Sequence, residues 1–343
     1  MKLANLLIPD GVSETQIASA METKIMDALS RSLIKYNTGV SLTPNTHSLA
    51  PMILENAVLL SGCAIPDSCP VPLVVSNSKI YMDSGCNICL NDLSQGEIDV
   101  YGMDINNPVP TVKLENRQKT KQAMALSFSA LKTLWLGNKS YVASDLNSAL
   151  LLNAYKKDDG IWKKITTSGA TNVAIAKNAQ ATEALQMAIT GAEARAILDQ
   201  LIDKQSTTLK MILDSEKMIW VTEKLYDVIV SEDTAQKLPN FTYAEIDSYF
   251  GTANSLIYRG FVLIKYEHLS AAIRDLKPTT AGTLVLPHRA ILTVGLPVVE
   301  FSLGVENSFR AKYEETTRKW EAVTDLVIMH PDALQGDFYV TAY

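Results

Sequence analysis

The sequence predicts an α+β fold, and three observations in its 343 residues point there. Apolar residues recur at helical spacing in separate stretches, β-rich runs crowd the last third, and a proline-rich stretch near the N-terminus follows neither period. Hydrophobic residues make up 47% and charged residues 20%, so a chain of this length can bury a large core as one big domain or two smaller ones. The formal net charge of -6 sets aside a chain that grips nucleic acid over its whole surface.

Taken in order, Ser13 and Gln16 have the spacing of a capping box, and Ile17, Met21, Ile25 and Ala28 then recur at helical spacing to about Tyr36. From Gly39 to Pro110 the prolines at 44, 51, 66, 70, 72, 108 and 110 interrupt short runs such as VPLVVS and KIYMD. An extended, turn-rich arm without a long helix is expected there, and a stretch so irregular usually serves a function or a partner. KLENRQKTKQ follows, with Lys113, Arg117, Lys119 and Lys121 against the single acid Glu115. It reads either as a solvated helix start or as a patch facing DNA or a neighbour's acidic surface. Met124, Phe128, Leu131 and Trp135 then share one helical face, and Gly137 stops the helix.

Asp159-Gly160 signals a turn between two structured runs. From Ala181 to about Ser215 the pattern is helical, with Leu198, Leu201, Ile202, Leu209, Ile212 and Leu213 on one face and Gly191 dividing the stretch. MIWVTEKLYDVIV reads as a strand followed by a helix, and YRGFVLIKY as a strand. Pro287 places LVLPHRAILTVG at a sheet edge or a bend, and FRAKYEETTRKWEAVTDLVIMH reads as two strands joined by a polar turn.

Catalytic signatures are missing: there is no P-loop, GxSxG elbow, HExxH or GxGxxG, so no catalytic or cofactor-binding residue is assigned. His47, His268, His288 and His330 lie far apart and read as surface or structural residues. Asp158-Asp159 reads as part of the turn rather than a cation site, because further acidic ligands are lacking. Trp135, Trp162, Trp220 and Trp320 read as packing anchors.

The one sharp chemical feature is the cysteines, all four of which fall between positions 63 and 89. Cys86 and Cys89 form a CxxC, and Cys63 and Cys69 complete a tetrahedral thiolate set for zinc, which would stiffen an arm too poor in apolar surface to hold its own shape. Free or partly oxidised thiols are the alternative. The short apolar start ends at Pro9-Asp10-Gly11, and the apolar run at 284–299 is broken by Pro287, His288, Arg289 and Pro297. A soluble chain, cytoplasmic when made and without a membrane partner, is the expectation.

The order of segments resembles the major capsid proteins of tailed bacteriophages, with the Hong Kong 97-type fold. ALSFSALKTLWLGNKSY resembles a spine helix ending in Trp-x-Gly, and DDGIWKKI the turn after it. AILDQLIDKQSTTLKMILDSEKMIWVTEKLYDVIV resembles the helix, strand and helix of an axial domain, and YRGFVLIKY its next strand. LPHRAILTVG and the FRAKYEETTRKWEAVTDLVIMHPDAL ending resemble the return into a peripheral domain. The resemblance implies an N-terminal arm (1–55), an extended cysteine-bearing loop (56–112), a peripheral domain with spine helix (113–180), an axial domain (181–281) and a peripheral return (282–343).

It also implies a virion protein without catalysis. Such a protein assembles with itself as pentamers and hexamers, touches packaged DNA non-specifically, and meets portal, scaffold or decoration proteins. No residue maps onto a covalent cross-linking chemistry. Two other readings stand beside it: an encapsulin-like compartment shell, and a zinc-dependent enzyme built on the cysteine set.

Overall fold

The structure is a computed structural model. It describes residues 128–236, 241–248, 251–295 and 334–343. It also describes shorter pieces at 36–38, 47–49, 74–89, 94–101, 299–303, 309–314 and 319–331, and the single positions 103, 111 and 114. The expected helix from Ser13 and most of the basic segment at 113–121 lie outside the described residues, although Leu114 is fully buried.

Among the described residues the strands form two sheets. The first joins β1 (Tyr36–Thr38), β2 (His47–Leu49), β3 (Val74–Cys89), β10 (Val299–Leu303), β11 (Phe309–Glu314) and β12 (Lys319–Pro331). Its spine is an antiparallel ladder in which thirteen residues of β3 pair with β12, from Asn77↔Pro331 to Cys89↔Lys319. β11 lies antiparallel to β12 as the expected hairpin. The interrupted short runs expected near VPLVVS and KIYMD are instead one sixteen-residue strand. Pro70 and Pro72 precede that strand, so none of its ladder donors is lost to proline. A short helix, α1 (Gln95–Tyr101), follows it.

The second sheet runs β4 (Thr171–Val173), β13 (Tyr339–Ala342), β9 (Ala290–Thr293), β5 (Met218–Thr222), β8 (Phe261–Tyr266), β7 (Gly251–Tyr258) and β6 (Phe241–Ser248). β5 and β8 are parallel, with Trp220 beside Ile264, and β4 and β13 are also parallel. The expected strand YRGFVLIKY is divided, because Tyr258 ends β7 while Arg259 and Gly260 make the turn into β8. Both turn residues have positive φ (50° and 91°), as a two-residue hairpin of this hand requires. Of the edge or bend expected for LVLPHRAILTVG, the chain takes the bend, at 285–286 just before Pro287, and not the edge. Pro287 precedes β9, which pairs on both sides with β13 and β5 in the interior of the sheet.

Alternation along these strands feeds two hydrophobic clusters, one on each face. Trp220, Val262, Ile264, Tyr266, Ile291 and Tyr339 point to the first, with Trp135, Tyr155 and Trp162. Ile219, Val221, Leu263, Leu292, Val340 and Ala342 point to the second, with Leu198, Leu201 and Leu225. Burial on both faces explains why MIWV, FVLI and AIL read as unbroken apolar runs rather than alternating ones.

On the first face lie α2 (residues 128–136), the one-turn α3 (Leu152–Tyr155), α4 (Ile161–Thr167) and α9 (Glu267–Ile273). On the second lie α6 (Gly191–Asp203) and α8 (Glu223–Gln236). The helical stretch from Ala181 is three helices, with α5 (Glu183–Met187) before α6 and α7 (Thr207–Lys210) after it. The stretch divides before Gly191 as expected, and Gly191 is the first residue of α6, with Thr190 capping the helix and Glu193 closing a capping box. Of the face expected there, Leu198, Leu201 and Leu209 are buried, whereas Leu213 is 69% exposed in the turn before β5.

Candidate functional site

Helix α2 ends against the loop that the Asp-Gly signal marked. Trp135 is fully buried with its ring centroid 4.1 Å from that of Tyr266, and Gly137 follows the helix. Gly160 donates its N–H to the Gly137 carbonyl at 2.8 Å, and Asn138 donates to the Tyr155 carbonyl at 2.8 Å. Two backbone segments twenty residues apart therefore touch without side chains between them, and glycine is present on both sides of the contact. Asp158 and Asp159 fix the same junction. Asp158 Oδ1 pairs with Lys139 Nζ at 2.6 Å, and Asp159 Oδ1 accepts the Lys139 N–H at 2.9 Å. Both aspartates are thus engaged in holding the turn.

A second polar knot ties this region to α9. Asp275 Oδ2 accepts both Lys132 Nζ and the Tyr155 hydroxyl, each at 2.7 Å. Burial, together with the Asp275 carboxylate, pushes the Tyr155 phenol far above its ordinary value, so it stays protonated and acts as a donor.

Arg289, 3% exposed, stacks 4.8 Å over the Trp162 ring and donates to the carbonyls of Val285 and Leu286. Burial lowers its pKa to about 10, against the pull of Tyr141 and Tyr343, so the guanidinium remains charged at neutral pH. The geometry here anchors helices and loops; it does not hold a proton poised for transfer.

Of the cysteine set, Cys86 and Cys89 lie in β3, opposite Ala322 and Lys319 of β12, and Cys63 and Cys69 lie outside the described residues. Among the described residues no group of three or more His, Cys, Asp or Glu can hold a metal ion, and no helix is long and apolar enough to cross a membrane. Of the histidines, His47 stands in β2 and His330 in β12. His268 packs edge-on to Phe128 and Tyr266, and His288 is fully buried. Trp135, Trp162 and Trp220 are buried anchors as expected, and Trp320 pairs with Ile88 in the first sheet.

A cleft of about 370 Å³ lies between α8, α9 and the strand approach at 284–287. Met187, Ile273, Leu284 and Pro287 give it apolar walls, and Glu223, Lys224, Asp227 and Arg274 stand around them. Glu223 and Asp227 are already bonded to Lys265, each at 3.1 Å, and Arg274 reaches Glu183 at 3.3 Å.

The polar knots were invisible in the sequence. Lys132 and Asp275 are 143 positions apart, and no local spacing announces their contact.

No protein-family model matches the chain, and no curated protein matches it in sequence. Solved structures do. The chain is similar to capsid structures of phages. A chain of the satellite phage P4 procapsid, which includes the size determination (Sid) protein, is 8% identical; the match covers 94% of this chain and 98% of that one, with a TM-score of 0.49. The capsid of cyanophage P-SCSP1u is 12% identical over 91% and 86%, with a TM-score of 0.47. The capsid of cyanophage Pam1 is 14% identical over 91% and 88%, with a TM-score of 0.42.

Proposed function

We propose that the chain is the major capsid protein of a tailed bacteriophage, a structural virion protein that assembles with copies of itself into an icosahedral shell around the genome. The observation that carries this reading is the β3–β12 ladder with its flanking strands. Among the described residues, the first sheet's strands make their main contacts with one another, while the described helices within 128–136 and 152–273 pack on the second sheet. A long ribbon held mainly by its own ladder gains stability when its faces are covered, and repeated copies of one chain in closed symmetry supply that cover. The packing of Trp135–Gly137 on Asp158–Gly160 adds support, because both segments belong to the ordered set that carries the capsid resemblance.

On this reading the helices and strands at 181–281 form the axial domain that gathers five or six copies, and β4, β9 and β13 from the flanking segments continue its sheet. The segments at 113–180 and 282–343 make the peripheral domain, and the N-terminal arm and the cysteine-bearing loop lie over neighbours. Packaged DNA is met by non-specific contact, and portal, scaffold or decoration proteins complete the particle. Cys63, Cys69, Cys86 and Cys89 remain the zinc set we propose for the loop. To share one ion the end of β3 must leave its ladder, because Cys86 and Cys89 stand three positions apart in that strand, on opposite faces.

The test is negative-stain electron microscopy of the purified chain with light scattering for mass, and metal analysis of the same preparation. Shells, tubes or rings of five or six copies are expected, with one zinc per chain. A discrete monomer or dimer that persists at high concentration and with added scaffold overturns the capsid reading. Small shells filled with protein instead of nucleic acid would point to an encapsulin-like compartment.

A further inference from the structure

Residues 282–289 form a strap that crosses from α9 to β9, and its anchor is a buried histidine. We propose that this strap is an acid-sensitive latch, in which proton uptake at His288 Nδ1 releases it from residues 178–187. The inference is independent of the capsid reading.

The latch is built from buried amides and one imidazole. Gln186 donates to the carbonyls of Asn178 and Leu284, and accepts the Leu284 N–H at 2.8 Å. Asn178 donates to the His288 carbonyl at 2.8 Å and accepts the His288 N–H at 3.0 Å. His288 Nε2 lies 2.7 Å from the Gln186 carbonyl oxygen. A carbonyl only accepts, so Nε2 carries the proton and the neutral ring leaves Nδ1 as a bare acceptor. That nitrogen is buried and has no hydrogen-bond partner.

A second proton would therefore place a cation in a buried setting with no acceptor for its new N–H. Three charged groups act electrostatically on the ring: Lys177 from the turn at Ala176–Ala179, Lys224 from α8, and Glu193 from α6. Glu193 is already bridged to Lys177 at 3.3 Å, so the charge opposing protonation prevails. Burial is the main cause that holds His288 below its ordinary value of 6.5, the Gln186 bond opposes it, and the two lysines add to it.

The strap's backbone favours release once the ring is charged. Leu286 has φ of 47°, a left-handed conformation that costs a branched side chain, and Arg289 holds it by bonding the carbonyls on either side of the bend. Leu284 and Pro287 also form one wall of the cleft that holds Lys224, so lifting the strap opens the ring to water.

Hydrogen exchange on the full chain, read peptide by peptide between pH 7.5 and pH 5 and corrected for intrinsic rates, tests the latch. Opening of 178–187 and 282–289 should rise with acid by up to about tenfold per pH unit below 6.5, while β5 and β8 stay protected. His288→Gln, which retains a donor for the Gln186 carbonyl, should remove that dependence. Lys224→Gln should make the acid response smaller and level off at higher pH, because without that lysine the closed latch accepts the proton more readily. Unchanged protection at pH 5, or the same acid response in the His288→Gln chain, overturns the proposal. If His288→Gln does not fold, an acid response in Lys224→Gln as large as that of the unaltered chain overturns it equally.

Discussion

Substituting Gly160 by alanine tests the contact on which the α2 junction depends. The added Cβ would sit 2.7 Å from both the carbonyl carbon and the oxygen of Trp135, and 2.8 Å from the Gly137 nitrogen. Carbon contacts are at their best near 3.5–4.0 Å, so the two segments must separate by roughly 0.8 Å. All three obstacles are backbone atoms, and no side chain can swing aside. The φ of Gly160 is -75°, so its own conformation suits alanine and the whole effect is steric.

Overpacking of this kind costs about 1–3 kcal/mol. The same displacement stretches the bonds Gly160 N–H to Gly137 and Asn138 N–H to Tyr155, each worth about 1 kcal/mol. A destabilisation of about 2–4 kcal/mol follows. Urea unfolding followed by tryptophan fluorescence should show the midpoint falling at constant slope, with Trp135 and Trp162 flanking the site as reporters. Gly137→Ala meets the Asp158 carbonyl across the same junction, and the Thr133 carbonyl within its own helix end. Once either alanine has forced the segments apart the second has less to disturb, so the double variant should cost less than the sum. A single-variant cost below about 0.5 kcal/mol, or strict additivity, refutes the reasoning.

Two further outcomes follow from the polar contacts. Asp275→Asn should lower stability by about 1–3 kcal/mol in thermal unfolding, because Lys132 loses its carboxylate in a mostly buried setting; adding Lys132→Met should recover part of the loss. Thr190→Ala should cost about 0.5–2 kcal/mol by removing the cap of α6. The bond from the Thr190 backbone is the first cause that lowers the Glu193 carboxyl below its ordinary 4.5. The stabilisation from that carboxylate is therefore complete above pH 4.5 and lost as pH falls through the lowered value, and circular-dichroism melts should show the wild-type advantage shrinking there.

Sequence reading succeeded where one segment carries its own instruction. Trp135 and Gly137, the Asp159-Gly160 turn, the strand-then-helix at Met218–Gln236 and the β11–β12 hairpin are all local patterns, and each stands where its period or turn chemistry placed it. It failed where a distant partner decides. The position of β9 is set by β13 and β5, fifty and seventy residues away in the chain, and a proline just before a strand is compatible with the interior. VPLVVS and KIYMD looked like short runs because their continuity is supplied by β12. Leu213 kept a helical spacing that its turn does not obey. At the candidate site, the buried tryptophans were legible from their apolar stripes. The knots at Asp275 and Gln186 were not, since hydrogen bonds between residues about a hundred positions apart leave no periodic trace.

The β3–β12 ladder also sets an order of events during synthesis. Cys89 finds its partner only when Lys319 has been made, and β4 finds its own only with β13 at the very end. At ~5–20 residues per second, β3 spends about ten to fifty seconds on the ribosome as a long strand with the edge meant for β12 unpaired and β2 available to cover only Val74–Ser76 on the other. Such an edge is a template for pairing with other nascent chains. The feature that gives the finished protein its longest ladder therefore makes the unfinished one dependent on crowding, temperature and chaperone supply, and the yield of correctly folded chain should be governed there more than by the stability of the completed core.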